Sequence, residues 1–449
     1  MTSLKKLTVI ALPLLLIACG NDDLDPDAVN IPDVYEFISL TDPSAVSSVD
    51  YKEATTRLVL IKELEYLINS DYLQNYGVEN GEDAAMALLN RVYESGTKSN
   101  IANNLAAVNL YDDTSTPTPI NSINFSGDTE LFDTLAVDVN LKEVMPGFKS
   151  SLPVREVGSE ENNGDFIGWE IDGLTTGGSY PNALIQNWFK EIAILATDTN
   201  IEGEYNATTK YLKNNINYRN LIISFLTASI PYNEVSNFYL NDQGLTANNS
   251  RDDSSLPYTQ LEHNWDIAFG YFGTLITAKN ESYDSIIAAH EDDVTQISEQ
   301  VFTIAASAAL RDKDSPFSTS SLSNSFITNS LIGRNLISQN KTSTLSKYSQ
   351  ITLDTWERTL AAALAHHINA TIGLGFSANP NEWAHMKAYA LALQFNPNAI
   401  LAERTLLEIH TLIGTNPVIS NKNYLQDILD ARGKIQSTYS FPLEDVQSW

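Results

Sequence analysis

Apolar residues recur with the spacing of an α-helix through most of the chain. Residues at i, i+3, i+4 and i+7 fall on one helix face, and this spacing dominates, whereas the strict alternation of a half-buried strand is scarce. The segments with helical spacing are 51–69, 82–94, 181–196, 217–228, 259–278, 285–311, 322–339, 353–372, 380–395, 399–413 and 424–436. The sequence therefore predicts an all-α protein, with a large domain of about ten to twelve helices in bundle-like packing.

Capping residues support two of these helix starts. Asp50 with Glu53 has the spacing of a capping box. Asn379 is followed by Pro380 and Glu382, which combines an N-cap, a first-turn proline and the third residue of a capping box. Both patterns predict that a helix begins at the following residue.

Three stretches rich in glycine or polar residues interrupt the helical pattern, at 112–126, 154–178 and 241–256. Apolar helices resume on both sides of each stretch, with no long proline-rich or serine-rich spacer, so we interpret them as loops. The main domain is expected to cover 35–449. The third loop is the best position for a boundary between possible halves 35–250 and 251–449.

The segment 261–273, LEHNWDIAFGYFG, places two ionisable side chains in an apolar, aromatic run. His263 and Asp266 are three residues apart and share one helix face, while Trp265 and Phe269 are four residues apart on another face. A polar pair buried in this way needs partners, which could be hydrogen bonds in the core, a second helix or a metal ion. The residues alone leave these alternatives open.

Two further helices carry histidines close to their apolar faces. His367 lies eleven residues beyond Trp356 and so has almost the same azimuth, and His385 shares a face with Tyr389. Glu382 and His385 form a Glu-x-x-His pair, which carboxylate metal sites in helical bundles use because i and i+3 converge on one ion. The alternative for each histidine is a core residue satisfied by a hydrogen bond.

Taken together, these side chains could form one mixed nitrogen and oxygen site for zinc, iron or a similar ion. The predicted ligands are His263, Asp266, His367 (or its neighbour His366), Glu382 and His385. The remaining histidines, His290 and His410, are expected at the surface or at helix ends, and we assign them no role.

Residues 1–18 have the pattern of a secretion signal. Lys5 and Lys6 precede an apolar run at 7–17, which is too short to span a membrane, and Ala18 precedes Cys19. The segment resembles a bacterial lipoprotein signal, with cleavage before Cys19 and lipid attached to that cysteine. An ordinary signal peptide is the alternative. Because Cys19 is the single cysteine, lipidation leaves no thiol for disulfides, zinc fingers or nucleophilic catalysis.

The segment 19–34 is acidic and is expected to be a flexible tether between the lipid and the domain. Gly20 follows the lipid-bearing cysteine in place of the aspartate that retains lipoproteins in the inner membrane of enteric bacteria. By that resemblance the protein is an outer-membrane lipoprotein, on the periplasmic side or at the cell surface.

The formal net charge of −29 excludes some partners. Such a field repels nucleic acid, and no basic cluster offsets it. Cations or cationic partners are favoured, although an acidic surface also serves solubility alone.

Motifs for common chemistries are missing from the sequence. It contains no P-loop, no dinucleotide-binding glycine pattern, no G-x-S-x-G and no H-E-x-x-H. Residues 95–98 match S-x-x-K, but the companion motifs of serine acyl-enzymes are absent. The sequence favours a non-catalytic function, with a metal-dependent hydrolase as the weaker alternative.

Four segments carry a resemblance to a known family: 47–58 (SSVDYKEATTRL), 261–273, 366–369 (HHIN) and 383–397 (WAHMKAYALALQFNP). They resemble successive signatures of a bacterial lipoprotein family catalogued only as a domain of unknown function. The resemblance covers most of the chain after the signal. It implies an all-α domain and no established reaction.

The same segment 261–273 is similar to the G-x-H-x-x-E signature of imelysin-like lipoproteins, which are helical bundles linked to iron uptake. Here Leu261 replaces the glycine and Asp266 the glutamate, and Ile267 and His385 stand where the pattern has acidic residues. The resemblance implies a lipid-anchored envelope protein that takes part in metal, most plausibly iron, binding or acquisition, together with a metal-uptake receptor as partner. The alternative is a structural or adaptor lipoprotein that binds an outer-membrane partner and holds no metal.

Overall fold

The structure, a computed structural model, describes residues 30–42, 44–45, 47–69, 71–94, 139–145, 166–169, 181–198, 211–251, 256–291, 304–315, 321–372, 379–418 and 421–449. Within these ranges the chain forms fifteen α-helices and one two-stranded hairpin, which confirms the all-α class. The signal segment, Cys19 and most of the predicted tether lie outside the described residues.

The helices are α1 (Lys52–Asn69), α2 (Asp71–Asn80), α3 (Glu82–Glu94), α4 (Pro181–Ala196), α5 (Tyr218–Glu234), α6 (Asp242–Leu245), α7 (Gln260–Phe272), α8 (Tyr283–Glu291), α9 (Ile304–Lys313), α10 (Leu322–Ser338), α11 (Leu345–Thr371), α12 (Pro380–Ala392), α13 (Glu403–Ile413), α14 (Lys422–Tyr439) and α15 (Leu443–Ser448). The hairpin pairs β1 (Leu212–Lys213) with β2 (Ile216–Asn217) in antiparallel register.

The helix number exceeds the expected ten to twelve because the sequence did not predict the short helices α2, α6 and α15. The predicted end of α7 at residue 278 was also wrong. Gly273 adopts a left-handed conformation with φ 74° and ends the helix at Phe272. The predicted helix 285–311 covers most of α8 and α9, and residues 292–303 between them lie outside the described ranges.

The longest helix, α11, lies at the centre of the packing and contacts α9, α10, α12 and α14. Its segment 361–365, AAALA, is fully buried, and alanine side chains let neighbouring helices approach closely. Helix α12 packs in turn against α5. Buried apolar residues from Tyr35 to Trp449 form one contiguous cluster.

One buried carboxylate in α11 holds three other elements together. Glu357 is fully buried, and its oxygens accept hydrogen bonds from the Tyr232 and Tyr439 hydroxyls at 3.1 and 2.8 Å. They also accept from the backbone amides of Ile400 and Leu401, each at 2.8 Å. Burial raises the pKa of Glu357, and these four hydrogen bonds act against that rise. The carboxylate therefore joins α5, α14 and the segment before α13.

Helix α7 approaches its neighbours at two glycines. A methyl group on Gly270 would lie 2.5 Å from the Tyr51 Cβ, and one on Gly333 in α10 would lie 1.9 Å from the ring of Trp265. Both distances are far below van der Waals contact. These glycines allow α7 to lie between the N-terminal segment and α10.

The N-terminal segment, described from Asn30 onward, is bonded to α10 and to Lys279. The Asn335 side chain donates to the Asn30 carbonyl at 3.3 Å, and Lys279 donates to the Pro32 carbonyl and pairs with Asp33 at 2.9 Å. Among the described helices, none combines the length and apolar character that crossing a bilayer requires.

Candidate functional site

Asp266 is fully buried in α7 and contacts α10 and the N-terminal segment. Its Oδ1 accepts hydrogen bonds from Arg334 Nε at 2.8 Å and from the Tyr35 hydroxyl at 2.9 Å. Its Oδ2 accepts from the Asp50 amide at 3.3 Å. Both carboxylate oxygens are therefore bonded to protein groups, as a buried charge requires.

Arg334 is the hub of this cluster and has no exposed side-chain surface. Its Nη1 bonds to Glu262 Oε1 at 3.0 Å and to Ser338 Oγ at 2.6 Å, while its Nη2 bonds to Ser48 Oγ at 2.7 Å. Its guanidinium also lies 4.7 Å from the centre of the Phe37 ring. Two carboxylates thus share one guanidinium, and we call these three side chains the Arg334 cluster.

Burial and the neighbouring charges both shift the pKa values of Asp266 and Arg334. Burial raises the pKa of Asp266 to about 6, while Arg334 and the hydrogen bonds act in the opposite direction. Burial lowers the pKa of Arg334, but the attraction of Asp266 and Glu262 outweighs it and leaves that pKa raised. The guanidinium therefore stays charged, and the cluster carries one net negative charge when both carboxylates are ionised.

Glu262 has a second role at the start of α7. Thr259 is the N-cap, and its hydroxyl accepts from the Glu262 amide, while the Glu262 carboxylate accepts from the Thr259 amide at 2.9 Å. This reciprocal capping box fixes the beginning of α7 and aims the other Glu262 oxygen at Arg334.

His263 does not contact the Asp266 carboxylate through any hydrogen bond in the described ranges. Its half-buried ring stacks on Tyr258, with ring centres 4.5 Å apart, and its Nδ1 is buried with no hydrogen-bond partner among those residues. Although His263 and Asp266 lie on the same face of α7, they contact different neighbours.

A second polar centre forms where the end of α11 meets α12, and we call it the histidine centre. His367 Nδ1 lies 2.9 Å from Glu382 Oε2, and the His367 ring stacks on His385 with centres 4.9 Å apart. His385 Nδ1 forms a 2.5 Å hydrogen bond with Ser224 Oγ of α5, and the His366 ring lies 4.8 Å from that of His367. Three of the predicted ligands thus lie together.

The imidazoles of the histidine centre are held in the neutral form. Burial lowers the pKa of His385 to about 3, with a further decrease from His367. Burial also lowers the pKa of His367 and, with Arg311, that of His366. Neutral imidazole is the form that can accept a hydrogen bond or bind an ion.

We expect acid to destabilise the protein through the histidine centre. His385 stays neutral in the folded state well below its ordinary pKa of about 6.5, so the unfolded chain binds a proton that the folded chain does not. Stability should therefore fall as the pH drops below about 6.5, by about 2 kcal/mol at pH 5 from His385 alone.

The check is urea unfolding between pH 7 and 5 of the wild type and of His385→Asn, which can keep the hydrogen bond to Ser224. The wild type should lose stability relative to the variant as the pH falls. Parallel curves for the two proteins would contradict a neutral, buried His385.

Predicted ligands therefore fall into two groups. His367, Glu382 and His385 meet in the histidine centre, whereas Asp266 bonds to Arg334 and His263 stacks on Tyr258. In the part of the chain that the structure describes, no group of three or more His, Cys, Asp or Glu side chains has positions suited to one metal ion. Glu382 follows the expected N-cap Asn379 and Pro380, but its carboxylate faces His367.

Lys387 and His410 form a buried pair that the sequence did not indicate. The Lys387 amine donates to the Gly414 carbonyl at 2.6 Å and lies 3.4 Å from His410 Nδ1, and burial lowers the pKa of Lys387 to about 7. His410 is in the last turn of α13, as expected, but it is buried against Gly168 and not at the surface.

The sequence did not identify Arg334 as the residue that binds the Asp266 carboxylate. A signal was present, because Arg334 is the single charged residue in the otherwise apolar and neutral sequence of α10. A lone charge in such a helix calls for a buried partner of opposite sign. Ser224 and Ser48 carried no comparable signal.

Three exposed apolar residues lie on or next to the N-terminal segment, and we call them the apolar patch. Ile38, Leu40 and Leu256 are 71%, 42% and 45% exposed, and they account for three of the seven exposed large apolar residues in the described ranges. The Thr41 hydroxyl donates to the Leu256 carbonyl at 2.6 Å, which holds Leu256 next to the segment. A groove of about 560 Å³, lined in part by Phe37, Ile38 and Ile276, adjoins the patch.

Comparison with known proteins gives one family match. A family model described as a domain of unknown function (DUF4856) matches residues 194–314, which include α7 with His263 and Asp266. No curated protein matches the chain, and no solved structure matches it. The match supports a domain of unknown function and brings no activity with it.

Proposed function

We propose that this chain is a lipid-anchored, non-catalytic protein of the bacterial cell envelope that acts as an adaptor by binding another envelope protein. One observation carries the proposal: Ile38 and Leu40 of the apolar patch are exposed on the segment that follows the predicted tether, and exposed Leu256 is bonded to this segment through its carbonyl. Exposed apolar groups that cluster beside a groove mark binding surfaces. Catalysis is not needed for this function.

The length of the predicted tether limits how far the apolar patch can lie from the membrane. The predicted lipid attachment at Cys19 is separated from Asn30 by a stretch that spans at most about 40 Å when fully extended. The patch follows within the next few residues, so it stays close to the membrane surface. Partners within reach are membrane proteins or other lipoproteins, a metal-uptake receptor among them.

The adaptor function is tested by photo-crosslinking in cells that produce the full chain. A crosslinking amino acid at Ile38 is expected to trap one discrete envelope protein, and Leu40→Asp should reduce the yield because it places a charge in the patch. The control position is Val78 of α2, which is 44% exposed but lies outside the patch. Equal yields from Ile38 and Val78 would overturn the proposal.

Lipid anchoring has its own test. Cys19→Ala should move the protein from the membrane fraction to the soluble fraction and abolish incorporation of labelled palmitate. A variant that keeps both the label and the membrane location would refute attachment at Cys19.

Metal binding is a second candidate function, and the histidine centre supports it. His367 and His385 are neutral imidazoles beside Glu382, and the resemblance to imelysin-like lipoproteins points to iron or a similar ion. Side chains of the centre would have to turn, because their present positions do not place three donors around one point. An acidic chain with net charge −29 also attracts cations.

The metal function is tested by adding iron, zinc or copper to the metal-free protein and measuring the melting temperature. A bound ion should stabilise the protein by about 2.7 kcal/mol at a hundredfold excess over its Kd. Loss of this effect in His385→Asn would assign the ion to the histidine centre, and loss in His263→Asn would assign it to α7. An unchanged melting temperature with all three ions would refute the metal function.

A further inference from the structure

The surroundings of the Lys387 amine in α12 fit its neutral form. The side chain is fully buried, and within the described ranges the amine meets two acceptors, the Gly414 carbonyl at 2.6 Å and His410 Nδ1 at 3.4 Å. An ammonium has three N–H donors, whereas a neutral amine has two. Two acceptors therefore satisfy the neutral amine and leave one N–H of the ammonium without a partner.

The elements packed around Lys387 bring no counter-charge to it. On α12 itself the other ionisable residues are Glu382, His385 and Tyr389. The ionisable residues that face α12 from neighbouring helices are Arg219 of α5, Arg311 of α9, His366 and His367 of α11, His410 of α13 and Tyr424 of α14. None of these groups accounts for the pKa of Lys387, which burial alone lowers to about 7.

Residues 166–169 cover the imidazole of His410. A methyl group on Gly168 would lie 2.3 Å from His410 Nδ1, and the φ of Gly168 is 93°, which favours glycine. The segment is bonded to Gln394, just after α12. The Ile167 amide donates to Gln394 Oε1 at 2.9 Å, and Gln394 Nε2 donates to the Ile167 carbonyl at 3.2 Å.

The covering segment is attached through few contacts. Residues 166–169 belong to no helix or strand. Besides the two hydrogen bonds to Gln394, two buried rings hold the segment: Phe166 lies 6.0 Å from Phe395, and Trp169 lies 5.2 Å from Trp188. Detaching these four residues breaks no helix, so it is a small local opening that would bring water to His410 and Lys387.

We propose that Lys387 and His410 form a proton-sensitive latch, in which uptake of a proton by either side chain releases residues 166–169 from α12 and α13. A charge on Lys387 or His410 has no carboxylate to pair with while the segment is closed, and it gains water when the segment opens. Residues 166–169 carry no ionisable side chain that could compensate the charge. The latch needs neither the adaptor function nor a metal ion.

The expected pH dependence has two steps of the same sign. With the segment open, Lys387 holds its proton up to the ordinary pKa of about 10.5, whereas with the segment closed its pKa is about 7. The open form therefore binds more protons in this window, and opening increases as the pH falls from about 10 to 7. Burial and Lys387 lower the pKa of His410 well below 6.5, so His410 adds a second step as the pH falls below about 6.5.

The test is native-state proteolysis of the purified protein with chymotrypsin, which cuts after aromatic residues. Mass spectrometry measures cleavage after Phe166 and Trp169, and a synthetic peptide of residues 163–172 in the same solution corrects for the pH profile of the protease. The corrected rate should rise at least about tenfold from pH 9 to pH 7. Lys387→Met should abolish this rise, whereas Lys347→Met, a change on the surface of α11, should leave it intact.

Two further variants locate the effect. His410→Asn can still accept from Lys387, so it should keep the step between pH 9 and 7 and lose a further rise of about threefold between pH 7 and 6. Gly168→Ala should give fast cleavage at every pH, because its methyl group meets His410. This variant also tests the latch if Lys387→Met does not fold, since protection equal to that of the wild type would overturn it.

Three other results would overturn the latch. The first is an equal corrected rate at pH 9 and pH 7 in the wild type. The second is a rise that persists in Lys387→Met. The third is a parallel rise of cleavage after the buried Phe326 of α10, because the protein would then open as a whole and not at residues 166–169.

Discussion

Replacing Arg334 with methionine is expected to lower the free energy of unfolding by about 3–5 kcal/mol at pH 7. The guanidinium is fully buried and is the counter-charge for both Asp266 and Glu262. Methionine is similar in length but has no charge, so two carboxylates would remain in the core without a cation. Denaturant unfolding of wild type and variant measures the difference.

The pH dependence of this loss gives an independent check. Without Arg334, the pKa of Asp266 should rise further above about 6, so the folded variant holds a proton that the unfolded chain loses near pH 4. Such a group contributes less stability as the pH rises through this window. The deficit of the variant should therefore shrink from pH 7 to pH 5.

Arg404→Met is the matched control, because the Arg404 side chain is 91% exposed and pairs with Glu408 on the surface of α13. Its effect should stay below about 1 kcal/mol. Equal losses of unfolding free energy in the two variants, or a loss below about 1 kcal/mol for Arg334→Met, would mean that the buried Arg334 cluster does not stabilise the fold.

Replacing Glu357 with alanine is expected to lower the free energy of unfolding by about 4 kcal/mol. The change removes the carboxylate that accepts from the buried Tyr232 and Tyr439 hydroxyls and from the amides of Ile400 and Leu401, and the loss of an acceptor costs a buried donor about 1–3 kcal/mol. Glu357→Gln keeps one oxygen, so it should cost less than the alanine variant.

The surface control for this prediction is Glu444→Ala, because Glu444 is exposed on α15. Its effect should stay within about 0.5 kcal/mol. If Glu357→Gln proved as damaging as Glu357→Ala, charge rather than the number of acceptors would decide stability at this position.

Local periodicity was enough to predict the fold class and most helices. The buried faces of α7 and α11 follow from apolar residues at helical spacing, and Asn379 with Pro380 marks the start of α12. The short helix α6 was missed because its four residues carry no periodic signal. The end of α7 depends on the left-handed conformation of Gly273, which the apolar pattern continuing through Ile276 conceals.

The two polar centres differ in how far the sequence could predict them. His367, Glu382 and His385 come together because α11 and α12 are consecutive helices that pack side by side. Asp266 instead meets Arg334, which is 68 residues away, and Tyr35, which is 231 residues away. Helix-face arguments place residues within one helix, but they cannot identify a partner on a distant element.

The long sequence separations between Arg334 and its hydrogen-bond partners also set an order of assembly. Ser48 and Arg334 are 286 residues apart, so the N-terminal segment emerges early in synthesis but cannot dock until α7 and α10 exist. Contacts of such long range close late and slow folding. Until then Tyr35 and Phe37, which are buried in the folded protein, remain exposed on the nascent chain, and a holdase chaperone that covers them would protect the newly made protein from aggregation.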